Sequence, residues 1–174
     1  MAGLKELRTR IETIKSTEKI TSAMKMVAAA RLRRSQGLIE KCRFYNNNIL
    51  ASANRVLFEL RQEEQKKNVR FVYPELMRGS GKAENYLLLV FTSDRGLCGS
   101  YNSNVAREAS KRIEELLGGG KNVKILCIGK KGRDILKRKY AGMIVDTIEG
   151  IARKGAKYYE AVDLGQRVLD MYAK

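Results

Sequence analysis

The sequence predicts an α/β fold led by a long N-terminal coiled-coil helix. Three observations carry that prediction. From Leu4 to Leu60 there is no proline and a single glycine, Gly37. Along that stretch apolar residues recur at alternating steps of three and four, the spacing of a helical seam. Beyond residue 85, strand-like and helix-like segments alternate and are punctuated by glycine-bearing turns, which argues for a parallel sheet packed with helices.

The seam begins with Leu4, Leu7, Ile11 and Ile14 and resumes in register at Leu32, Ile39, Cys42, Ile49, Ala53, Val56 and Leu60. A continuous helix over 4–60 is about 85 Å long at 1.5 Å per residue. It must lie against another helix or inside a partner. Between the two stretches the seam register holds Glu18, Thr21 and Lys25, while Ile20, Met24 and Val27 form a rotated apolar stripe. Two readings stay open: a local stutter in helix pairing, or contact with something other than the partner helix.

Residues 61–85 read as a linker. Glu63, Glu64, Lys66 and Lys67 lead to the only proline, Pro74, and then to Gly79-Ser80-Gly81, with Arg70–Tyr73 suited to a short extended contact. Strands are expected at Tyr86–Thr92, Val123–Ile128 and Met143–Ile148. Helices are expected at Asn102–Leu117, Arg133–Lys139 and Ala156–Tyr172. Gly118-Gly119-Gly120 is a helix stop. Three strands make a thin sheet, so 86–174 reads as an incomplete Rossmann-like domain with a mostly parallel sheet. The predicted organisation is a helix over 1–60, a linker over 61–85 and an α/β domain over 86–174.

Composition narrows the function. Lys and Arg number 35 against 19 acidic residues, a formal charge of +16, which favours acidic partners. Histidine is absent, so there is no Ser-His or Cys-His nucleophile pair and no imidazole metal site. Cys42, Cys98 and Cys127 are far apart and suit a reducing compartment better than a disulfide framework. No apolar run is long enough to span a bilayer. The opening Met-Ala-Gly-Leu-Lys-Glu lacks the apolar core of a secretory signal, so a cytoplasmic location is expected.

Two turns resemble phosphate cradles in part. Gly96 and Gly99 follow the first strand, but neither G-x-G-x-x-G nor the G-K-[ST] ending is present. Gly129-Lys130-Lys131-Gly132 follows a strand and opens a helix, where an anion can sit, although a tight turn with solvated lysines is the favoured reading. Asp94 with Cys98 lacks an activating neighbour in sequence; Asp94 is read as bonding backbone amides. Residues 1–34 hold nine basic residues against three acidic, and 121–140 hold eight against Asp134 alone. Such patches fit nucleic acid in principle, but no aromatic residues interleave the charges as stacking surfaces would. A basic nucleic-acid-binding protein with a dimeric coiled coil is therefore the second reading.

Two stretches together carry a specific resemblance. Lys19-Ile-Thr-Ser-Ala-Met-Lys-Met-Val-Ala-Ala-Ala-Arg31, followed by Leu-Arg-Arg34, resembles the N-terminal helix of the gamma subunit of F-type ATP synthases. Ser93-Asp-Arg-Gly-Leu-Cys-Gly99 is similar to that family's loop after the first strand of its α/β domain. The resemblance covers essentially the whole chain. It implies a non-catalytic rotor subunit in the central stalk, coupling proton-driven rotation to ATP synthesis on other chains. No cofactor, metal or catalytic residue is expected. The implied partners are the catalytic and non-catalytic subunits (beta and alpha), the epsilon subunit and the membrane rotor ring, at the cytoplasmic face of a bacterial inner membrane. Nucleic acid is not among them.

The resemblance also implies roles for particular residues. Ile20, Met24 and Val27 would face the bore of the catalytic ring. Lys25, Arg31, Arg33 and Arg34 would meet an acidic loop of the catalytic subunits. Arg95 and Cys98 would approach that loop from a turn whose glycines present both side chains outward. The family's C-terminal shaft helix has no counterpart before Lys174. The seam over 4–60 thus has no partner within these residues, and the chain alone is expected to self-associate or fray.

Overall fold

The computed structural model describes residues 3–73, 76, 81–151, 155 and 157–172. They form two units, one reaching to Val72 and the other starting at Tyr73. Of the sequence expectations, Pro74, Gly79-Ser80 and Ala156 lie outside the described residues.

The first unit is dominated by α1 (Leu4–Lys67), one helix of 64 residues. Gly37 does not interrupt it, and nothing lies within 4 Å of a Cβ placed there. The helix runs past Leu60 because the last turns supply their own support. Glu63 and Lys67 pair at 2.8 Å one turn apart, and Lys66 and Lys67 sit at the negative end of the helix dipole. Asn68, with φ 52°, then ends it in the left-handed conformation. The Phe71 amide donates back to Glu64 Oε1 at 2.8 Å, so Phe71 is tied to the helix end and the stretch 70–73 forms no strand. No residue of α1 is buried. Near its start a row of threonines bonds inward. Thr9, Thr13, Thr17 and Thr21 each donate to the carbonyl four residues earlier, at 2.9–3.0 Å. Their hydroxyl hydrogens are thereby used within the helix.

In the second unit β1 (Asn85–Phe91), α2 (Tyr101–Gly118), β2 (Asn122–Ile128), α3 (Lys130–Tyr140), β3 (Ile144–Ile148) and α4 (Tyr158–Tyr172) follow in order, with one 3-10 turn at Ala141–Met143 before β3. The strands form a sheet in the order β1-β2-β3. Both pairings are parallel, as the alternation predicts. Asn85 lies opposite Asn122 and Phe91 opposite Ile128. The second pairing slips once, between Ile125 and Leu126.

Burial follows the two periodicities. On α2, Asn102, Ala106, Ala109, Ile113 and Leu116 are buried at steps of four and three. The four apolar residues of that row meet Val90, Ile125 and Cys127 of the sheet and Leu136 and Tyr140 of α3 in one core. Gly120, at φ +70°, ends α2, and the amides of Gly119, Gly120 and Lys121 donate to Glu115, Leu117 and Leu116. The glycine run is therefore the helix stop its composition predicts. Arg167 on α4 reaches Asp146 on β3 at 3.4 Å. Among the described residues no helix is long and apolar enough to cross a membrane.

Candidate functional site

Parallel order brings the carboxyl ends of all three strands to one edge of the sheet, where α/β proteins commonly bind ligands. Here that edge is filled by the chain's own groups. Thr92, just past β1, donates from Oγ1 to the Gly129 carbonyl at 3.2 Å and accepts the Gly132 amide at 2.8 Å. Gly129 has φ +108°, and a Cβ on it would lie 2.1 Å from the Thr92 carbonyl oxygen; one on Gly132 would lie 2.7 Å from the Thr92 side chain. The two glycines thus let α3 start directly against the end of β1.

The amides at the start of α3 are likewise taken. Lys130 N–H donates to Asp94 Oδ1 at 3.1 Å, Lys131 N–H to the Ser93 carbonyl at 3.1 Å, and Gly132 N–H to Thr92 as above. The second Asp94 oxygen accepts the Gly150 amide at 2.8 Å. Asp94 does bond backbone amides, as its position after a strand predicts, but those of two distant turns. The anion at this helix N-terminus is a side chain of the protein itself, and the phosphate reading of Gly129–Gly132 loses its donors. Arg133 closes the same edge, pairing with Asp134 at 3.0 Å and Glu149 at 3.3 Å. Its hydrogen bond holds the Asp134 carboxyl below the usual range, and that bond in turn raises the guanidinium further. Beneath it Cys127 is fully buried, and desolvation pushes its thiol up, which makes it a poor nucleophile. Among the described residues no group of His, Cys, Asp or Glu is arranged to hold a metal ion.

The loop between β1 and α2 is organised by Asn102, a buried polar residue in the first turn of α2. Its Oδ1 accepts the Ser93 amide at 3.0 Å. Its Nδ2 donates to Ser93 Oγ at 2.8 Å and to Cys98 Sγ at 3.0 Å. Ser93 Oγ in turn donates to the Arg95 carbonyl. The outward orientation expected for Cys98 does not hold, because its sulfur is turned in to Asn102 and the residue is half-buried. Arg95 is exposed and makes no ion pair among the described residues. Gly99 (φ +58°) takes a left-handed conformation, as its residue type allows, but the other such position is Leu97 (φ +62°), not Gly96.

On α1, Ile20, Met24 and Val27 are more than half exposed and share one face at steps of four and three. The same spacing carries Arg31 and Arg34 along the side of that stripe. Lys25 and Arg33 point about 130–150° away at 100° per residue. The helix therefore splits the four cations between opposite sides instead of gathering them into one patch. None of the four has an ion-pair partner among the described residues.

The family model described as ATP synthase matches residues 3–174. The chain belongs to the ATP synthase gamma family. It is 41% identical over 172 residues to the ATP synthase gamma chain of Sinorhizobium medicae, covering 99% of this chain and 57% of that one. To the gamma chain of Gluconobacter oxydans it is 43% identical over 171 residues, covering 98% and 56%. The chain thus spans a little over half the length of the curated relatives it matches. Among solved structures it resembles the central stalk/c-ring of the Tetrahymena thermophila mitochondrial ATP synthase, with a TM-score of 0.64 and 28% identity over 88% of this chain and 60% of that one.

Family membership leaves the self-filled sheet edge without a ligand to explain, since its donors and acceptors satisfy one another. Asn102 is the residue sequence reasoning passes over. Its signal is visible in retrospect as a polar side chain in phase with Ala106, Ala109, Ile113 and Leu116 on the apolar face of α2.

Proposed function

We propose that this chain is the N-terminal portion of a central-stalk rotor subunit of a proton-translocating ATP synthase. It transmits rotation to catalytic subunits and performs no chemistry itself. The likeness to a solved central stalk, at 28% identity and a TM-score of 0.64, is the observation that carries the reading. A 64-residue helix with no residue buried in its own chain is consistent with it, because such a helix requires external cover. The helix α1, over Leu4–Lys67, acts as the shaft helix, 68–84 as a connector, and 85–174 as the start of a Rossmann-like foot. The beta and alpha subunits surround the shaft, and epsilon and the membrane rotor ring hold the foot at the cytoplasmic face.

Coupling in this scheme is mechanical. Ile20, Met24 and Val27 supply apolar contact that slides with little directional bonding. Arg31 and Arg34 on the same side, with Lys25 and Arg33 opposite, meet acidic loops at different angles of rotation. An asymmetric shaft of this kind favours different conformations of successive catalytic subunits, which is the differential contact that coupling requires. Arg95 extends the same attraction to the foot.

None of the matches reported above is a nucleic-acid-binding protein. Co-purification is the direct test: the tagged subunit should capture alpha and beta subunits. Changing Arg31, Arg33 and Arg34 together to Glu in the complete subunit should weaken assembly or proton-driven ATP synthesis. Unchanged synthesis removes those residues from the role. Capture of DNA or RNA with a steep salt dependence, in place of those subunits, would replace the rotor reading.

A further inference from the structure

The eleven residues of α3 carry six cations against Asp134 alone, and the fold pairs only two of the six. Arg133 is taken by Asp134 and Glu149, and Lys139 by Glu114. Lys130, Lys131, Lys137 and Arg138 have no ion-pair partner among the described residues. The neighbouring helix α2 differs, since its three cations are matched by three carboxylates of its own. Gly132, Leu136 and Tyr140 of α3 are buried, so the helix is set into the layer on the sheet and turns one shallow flank outward. At 100° per residue, Lys131, Ile135 and Arg138 fall within about 60° of one another on that flank. Ile135 is 40% exposed, an apolar side chain with a cation about one turn away on either side.

We propose that this flank of α3 docks on an anionic phospholipid surface, with Lys131 and Arg138 drawn to headgroup phosphates and Ile135 entering between them. This rests on the rotor reading above, which holds the α/β unit beside the membrane rotor ring. Charge complementarity selects the occupant: each Lys or Arg close to an anionic bilayer adds to the attraction, and an apolar side chain among cations is the composition of helices that lie on a membrane. Two features favour a lipid plane over nucleic acid. A helix set into a layer offers a broad, shallow surface and cannot enter a groove. Tyr140, the aromatic residue of α3, is buried with its Oη on Glu114, so no ring is left on which bases could stack. The contact is peripheral, held by charge and one side chain, and salt weakens it.

The chain has no tryptophan, so the indole introduced by Ile135→Trp reports on this flank alone. With vesicles of equal parts phosphatidylglycerol and phosphatidylcholine its emission should shift to the blue; with phosphatidylcholine alone it should not. In that background Lys131→Gln with Arg138→Gln, neutral changes at side chains the fold does not use, should raise the lipid concentration needed for the shift about tenfold. Lys131→Glu with Arg138→Glu should abolish the shift. Lys41→Glu with Arg43→Glu, which removes the same charge from exposed positions of α1, should leave it in place. An indole that stays in water on the anionic vesicles overturns the proposal. Equal loss with the α1 pair also overturns it, by making overall charge the cause. So does a response to duplex DNA with none to vesicles, which assigns the flank to nucleic acid. Co-purification keeps the two readings apart. If the complete subunit captures alpha and beta subunits while the indole ignores anionic vesicles, only the lipid contact falls; without that capture the rotor reading falls, and the placement of α3 beside a membrane falls with it.

Discussion

The Asp94 carboxylate accepts the backbone N–H of Lys130 at 3.1 Å, placing a fixed negative charge at the first turn of α3. Through Gly150, bound at 2.8 Å, the same group also fastens the turn after β3. Asp94→Ala leaves two amides without an acceptor and should cost about 1–3 kcal/mol in urea unfolding. Asp94→Asn keeps one carbonyl acceptor and should cost less. Calorimetry with inorganic phosphate or ATP should show no binding to the native chain. Saturable nucleotide binding with Asp94 in place would contradict the self-capped edge.

Glycines that look alike in sequence should respond very differently to substitution. Gly129→Ala puts a Cβ 2.1 Å from a backbone oxygen at a left-handed φ of +108°, and should cost about 3 kcal/mol or more. At Gly132 the clash is with the Thr92 side chain, which can rotate away only by giving up its bonds to Gly129 and Gly132; about 1–3 kcal/mol is expected. Gly118 has open space around its Cβ position, so Gly118→Ala should gain about 0.5–1 kcal/mol. Thermal melts of the three variants give the ranking. Equal effects would mean that the contact between β1 and α3 is looser than described.

Glu114 joins α2 to α3 by accepting from Lys139 and from Tyr140 Oη at 3.0 Å. The Lys139 hydrogen bond, then that of Tyr140, holds the Glu114 carboxyl below the ordinary range, while Glu114 holds the Lys139 ammonium above its own. A lowered carboxyl adds stability above its unfolded pKa and loses it as pH falls through the folded value. A raised ammonium adds stability below its unfolded pKa and loses it as pH rises through the folded value. The pair therefore contributes between about pH 5 and pH 10. Both side chains are more than half exposed, so the contribution is small and screened by salt. Lys139→Met should be less stable than native at neutral pH and low salt, with the gap closing in acid and at high salt. A gap that persists in acid would assign the effect to packing.

Much of this architecture is legible in the residues, and the exceptions share a cause. A helix without proline, the alternation after residue 85 and the stop at Gly118–Gly120 are local properties, and local chemistry reports them. The bonds of Asp94 to Lys130 and Gly150 span 36 and 56 positions and depend on which strands lie side by side, which no local pattern states. Leu97 is hidden for a different reason. Two neighbouring glycines account for a sharp turn on paper, so nothing points to the leucine as the residue in the left-handed region. The division of Arg31 and Arg34 from Lys25 and Arg33 follows from helical geometry alone, yet a count of charges reads them as one patch.

A helix with no residue buried in its own chain should seek cover. On α1 the seam residues Leu7, Ile11, Ile39 and Ile49 stand 59%, 52%, 59% and 47% exposed. Helices of this kind gain most of their stability from packing. The chain of residues 1–174 should therefore self-associate through α1, with sedimentation equilibrium giving a mass that rises with concentration and far-UV circular dichroism showing helicity that rises with it. Glu18 and Lys25 at seam positions weaken a symmetric pairing by placing like charges near one another, so added salt should strengthen association. Ile11→Lys with Ile39→Lys should abolish it while leaving the melting of the α/β unit unchanged. A monomer at every concentration with α1 fully helical would show that the helix stands without a partner.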